Sequence, residues 1–105
     1  MTPSVLGRMK TEEWTQDGAF VGSDGRPVRC YDDIILSRAI PVDEGFGTDV
    51  QQVEEGTICT VLFYSLRPVG MAQLECYVGK GARIFGYEEI AHLRLHMTNE
   101  EKYPR

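Results

Sequence analysis

The sequence predicts a mainly β domain: short antiparallel strands folded into a small barrel or sandwich, with an extra hairpin ahead of them. Three observations predict it. The stretch "EEGTICTVLFY", residues 54–64, is a turn glycine followed by a dense run of β-branched and aromatic residues. The stretch "MAQLECYV", residues 71–78, alternates apolar and polar positions with the period of two that a half-buried strand requires. Turn signals punctuate the chain at short intervals: "SDG", "SLRPVG" and "GKG".

Taken in order, residues 1–17 read as an arm, with Val5, Leu6, Met9 and Trp14 as its apolar anchors. Trp14 is expected to pack on this chain or on a second copy. Two β-like runs flank Ser23-Asp24-Gly25, which predicts a hairpin across residues 19–31, with Pro27 at an edge because it lacks an amide hydrogen. Residues 33–40, "DIILSRAI", read as a strand with Ile34, Leu36 and Arg38 on one face, stopped by Pro41. A long loop follows, and Gly56 opens the central strand. Cys59, Val61 and Phe63 share one of its faces; Ile58, Thr60, Leu62 and Tyr64 share the other. Both faces are largely apolar, so cover is expected on both sides. In residues 71–78, Ala72, Leu74, Cys76 and Val78 point inward. "ARIFGY" is a short strand, and "YEEI" is a single helical turn. "AHLRLHM" is a last strand with Ala91, Leu93, Leu95 and Met97 inward. The barrel with its hairpin thus spans residues 18–97. Residues 98–105 form a polar tail, expected to fray.

Composition narrows function. The chain has 105 residues and a net charge of −5, and no apolar run approaches the ~20 residues that cross a bilayer. No secretory leader is visible at the N-terminus, so a cytoplasmic location is expected. Residues 1–40 carry six acids and five bases, and residues 56–105 carry five acids and six bases. These segments cancel, so the net charge is that of the loop over residues 41–55: Asp43, Glu44, Asp49, Glu54 and Glu55. Such a balance disfavours direct nucleic-acid binding and suits a protein partner with a basic surface.

The strand "DDIILSRAIP", the long loop, "EEGTICTVLFY", "LECYV" and the closing "YEEIAHLRL" resemble the SH3-like barrels of small bacterial proteins. The likeness covers residues 32–97 and is nearest to a bacterial family of unknown function found near toxin–immunity loci. The layout is also similar to nitrogen-fixation protein Z, the E subunit of photosystem I and the C-terminal domain of the nitrile hydratase β-subunit. The resemblance implies an SH3-like antiparallel barrel in a small accessory or inhibitory protein that acts by docking. It implies no catalytic residue. The loop length and the first 31 residues lie outside its pattern.

The residues themselves offer little for catalysis. His92 and His96 are four apart, and on a strand that spans roughly 13 Å, too far for one metal ion. Cys59 and Cys76 fall at inward positions and are expected to be buried and unbonded; Cys30 is followed closely by Asp32 and Asp33. Paired carboxylates are present at Glu12-Glu13, Asp32-Asp33, Glu54-Glu55 and Glu88-Glu89, but neighbours on a strand point to opposite faces, so adjacency alone makes no dyad. No cofactor, metal site or catalytic group is therefore assigned. The expected function is binding by an accessory, immunity-type or inhibitor protein of bacterial or phage type. Its expected contact residues are Asp43, Glu44, Phe46, Asp49, Glu54, Tyr64 and Tyr77, with Met71 beside them. A homodimer through the arm, an accessory subunit of a redox or metalloenzyme complex, and a small enzyme using a carboxylate or thiol are the alternatives.

Overall fold

The structure is a computed structural model, described here for residues 14–41, 52–67, 69–78 and 82–104. Its centre is a five-stranded antiparallel sheet in the order β8-β7-β6-β3-β9. The strands are β3 (Asp33–Leu36), β6 (Ile58–Ser65), β7 (Met71–Val78), β8 (Ala82–Glu89) and β9 (Leu93–Met97). Two short ladders flank the sheet. β1 (Phe20–Val21) pairs with β2 (Pro27–Val28), and β4 (Ile40–Pro41) pairs with β5 (Gln52–Val53). A 3₁₀ turn, Ile90–His92, returns the chain so that β9 pairs with β3. This is the expected mainly β, barrel-like arrangement of antiparallel strands, with the extra hairpin in front. The barrel is open: among the described residues the outermost strands, β8 and β9, do not pair with each other.

Alternation places the core. Ile34, Leu36, Cys59, Val61, Ala72, Leu74, Cys76, Ile84, Leu93 and Leu95 are buried on the concave face. The hairpin closes one end by adding Phe20 and Val28. It turns through Gly25, at φ +81°, and is held to β9 by the Ser23 amide donating to the Leu93 carbonyl at 2.8 Å. Gly22 permits that approach, since a Cβ there would lie 2.8 Å from the Leu93 oxygen.

Four expectations are corrected. The strand over residues 33–40 breaks at Ser37 and Arg38, so Arg38 does not follow Ile34 and Leu36 into the core. Its guanidinium instead reaches Glu88, donating from Nε at 3.0 Å and from Nη2 at 2.7 Å. The helical turn expected at "YEEI" begins only at Ile90; Tyr87, Glu88 and Glu89 belong to β8. The same turn takes His92 out of the last strand.

The tail does not fray. Thr98 and Glu101 form a reciprocal capping box on a short helix, α1 (Asn99–Lys102). This helix is tied to the barrel by the Asn99 amide on Asp32 at 2.7 Å and by Lys102 on Asp33 at 2.8 Å.

The fourth correction concerns β6. Its pairing with β7 slips between Val61 (opposite Leu74) and Phe63 (opposite Gln73), so Leu62 is an extra residue and the strand bulges. Past the bulge the faces exchange. Phe63, expected beside Cys59 and Val61, turns outward and is 39% exposed, whereas Tyr64 turns inward and is buried.

Candidate functional site

The bulge builds a surface as well as a core. Past it, β6 has no partner on its β3 side, because that strand pairs only as far as Thr60. The chain just before the hairpin fills the gap. Thr15 exchanges both backbone hydrogen bonds with Tyr64, at 2.8 and 3.0 Å. The Gln16 amide donates to the carbonyl of Leu62, the bulged residue, at 3.0 Å, and to the Tyr31 hydroxyl at 2.8 Å. The bulge takes Leu62 out of the pairing with β7, and Gln16 gives its carbonyl a partner. Tyr64 completes the lock by packing on Phe20, 5.2 Å between ring centroids, and donating its hydroxyl to the Asp17 carbonyl.

With Thr15 fixed, Trp14 is placed over the convex face of the sheet. Its ring lies 5.6 Å from that of Tyr87 at an interplanar angle of 55°. Phe63, Gln73 and Tyr87 are mutual register partners on β6, β7 and β8, so they form one row across three strands. Trp14 stands beside this row, and the four side chains line an open groove of ≈ 350 Å³; none of these described lining residues is charged. The rim carries charge. Arg83 pairs with Glu75 at 2.7 Å, lies over the Tyr77 ring at 5.5 Å, and donates to the Tyr77 hydroxyl at 3.1 Å. Those contacts, the Tyr77 hydrogen bond first and Glu75 next, hold the guanidinium above its ordinary pKa. An apolar centre with a polar rim is the usual anatomy of a protein interface.

The expected contact residues separate into three groups. Asp43, Glu44, Phe46 and Asp49 lie outside the described residues. Tyr77 and Glu54 are exposed, Glu54 just after β5 with its carboxylate accepting from Gln52 at 3.0 Å. Tyr64 is no contact residue: it is 3% exposed, a core side chain turned inward by the bulge. Burial raises its pKa, as do Cys30 and Asp17. Sequence reasoning missed Phe63, Gln73 and Tyr87. The alternation of β7 already set Gln73 outward beside Tyr77, and its strand neighbours could have been sought there.

A second polar cluster sits at the barrel's end. Glu88 is fully buried, yet its carboxylate accepts from Arg38, from the Glu89 amide at 2.9 Å, and faces His92 Nδ1 at 3.5 Å. Burial pushes its pKa up, but the Arg38 and Glu89 hydrogen bonds, the Arg38 charge and His92 outweigh that and hold it below the ordinary carboxylate value. All its oxygens are used within the fold, so the cluster fastens β8 to the break between β3 and β4.

No family model matches the chain, and neither a curated protein nor a solved structure matches it.

Proposed function

We propose that this chain is a non-catalytic protein-binding module, an accessory, immunity-type or inhibitor protein that docks on another protein. The observation that carries the reading is the groove of Trp14, Phe63, Gln73 and Tyr87 on the convex sheet face. Apolar rings gain from leaving water, and aromatic anchors in a groove dominate the energy of most protein contacts. The acidic loop supports a partner with a basic surface. Its five carboxylates equal the whole net charge, and like-signed clusters steer association more than they hold the complex. The two features divide the work: the loop governs approach, and the groove governs residence.

Affinity capture from native lysate tests this, with retained proteins identified by mass spectrometry. The wild-type chain should retain a defined partner. Replacing Asp43, Glu44 and Asp49 by Asn or Gln should leave the fold intact, weaken capture and flatten its dependence on salt. Phe63→Ser with Tyr87→Ser should abolish retention at any salt. A retained second copy of the chain would instead favour the homodimer. Failure of both sets of substitutions to alter capture would contradict the reading.

A further inference from the structure

We propose that Cys59 and Cys76 form a reversible dithiol–disulfide site inside the barrel core. Thr60 faces Glu75 and Val61 faces Leu74, so one further step of the same register sets Cys59 opposite Cys76. Directly opposed residues of an antiparallel pair have Cα atoms about 4.5–5.5 Å apart, inside the range that a disulfide spans. Cys59 also faces Ile34, and Cys76 faces Ile84. The two sulfurs therefore occupy the middle of a buried row, Ile34–Cys59–Cys76–Ile84, where aliphatic side chains would serve packing alone. Both thiols are free.

The two are not equivalent. Cys76 is 7% exposed and Cys59 is 1% exposed, so a small oxidant meets Cys76 first. The neighbouring thiol lowers the Cys76 pKa against the opposing effect of burial, and with burial it raises that of Cys59. Cys76, the more accessible of the two, is the attacking thiolate. It takes one oxygen of hydrogen peroxide to give a sulfenic acid, and the other oxygen leaves as water after gaining a proton. The Cys59 sulfur then attacks the Cys76 sulfur. The S–S bond forms, the sulfenic S–O bond breaks, and a second water departs with the Cys59 proton. Two thiols and one peroxide become one disulfide and two waters.

Cys30 serves as an internal control. Its sulfur faces the Thr15 carbonyl at 3.8 Å, and burial, then Asp32 and Asp17, push its pKa up to about 11. It should remain a thiol under conditions that oxidise the pair.

The test treats the native protein with hydrogen peroxide, caps residual thiols after denaturation, and digests with a glutamate-specific protease. Cleavage after Glu55, Glu75 and Glu88 puts Cys59 and Cys76 on separate peptides. The expected product is those two peptides joined by a disulfide that dithiothreitol reverses, with Cys30 still capped. Cys30→Ala should leave this unchanged. Cys76→Ala should slow Cys59 oxidation by about tenfold or more, since the remaining thiol is buried away from a small oxidant. Free Cys59 and Cys76 after Cys30 has been consumed would overturn the proposal. So would disulfides between chains without the internal one.

Discussion

Because Tyr64 is buried against Phe20 with its hydroxyl on Asp17, its two halves can be removed separately. Tyr64→Phe leaves the Asp17 carbonyl without its donor and should cost about 1 kcal/mol in denaturant unfolding. Tyr64→Ala should cost about 3–5 kcal/mol. Tyr77→Ala, at a position 63% exposed, should stay within about 0.5 kcal/mol. Comparable losses at 64 and 77 would contradict the inward and outward assignment. The Arg38–Glu88 pair gives a pH signature. Glu88 has a lowered pKa in the fold, so its stabilising contribution is complete above the unfolded carboxylate value and is lost as pH falls through the folded one. Arg38→Met should therefore lower Tm at neutral pH, and the gap from wild type should narrow below about pH 4.3. A gap independent of pH would refute this. The pair was illegible in the sequence, since 50 residues separate its partners and neither carries a local signal.

Among the elements, β6 shows why alternation failed where it did. In β7, polar Gln73 and Glu75 interrupt apolar Ala72, Leu74 and Cys76, so the faces could be read directly. In β6, "ICTVLFYS" is apolar at both parities, and nothing marks Leu62 as the extra residue. Deleting Leu62 tests the bulge. The deletion would let β6 pair with β7 in one unbroken register, with Phe63 still outward opposite Gln73 and Tyr64 still inward opposite Ala72, and would remove only the Leu62 carbonyl that Gln16 holds. The variant should therefore keep cooperative thermal unfolding, as should Leu62→Ala. A deletion variant that loses cooperative unfolding would contradict the assignment of Leu62 as the extra residue. The tail differs, because its signal was present: Thr98 and Glu101 have capping-box spacing. The polar composition suggested a frayed end, but the box satisfies the helix start and Asp32 with Asp33 hold it. Thr98→Ala should cost about 1 kcal/mol in denaturant unfolding; an unchanged midpoint would show that the cap does not matter.

For the molecule as a whole, the mainly β class, the N-terminal hairpin and most of the core followed from periodicity and turn residues. The site did so only in part. Trp14 and Tyr77 were singled out from composition and alternation. The groove itself depends on three strands in register and on one bulge, which is tertiary information. The levels join at one place: the bulge frees a backbone edge, Thr15 and Gln16 fill it, and Trp14 is thereby set beside Phe63 and Tyr87. The central claim is that this convex face receives another protein. The most direct measurement places a photo-cross-linking amino acid at position 63 and, as a control, at position 100 on the exposed side of α1. After irradiation in native lysate, position 63 should give a discrete heavier adduct containing a second protein, and position 100 should not. Adducts from position 100 with none from position 63 would contradict the claim.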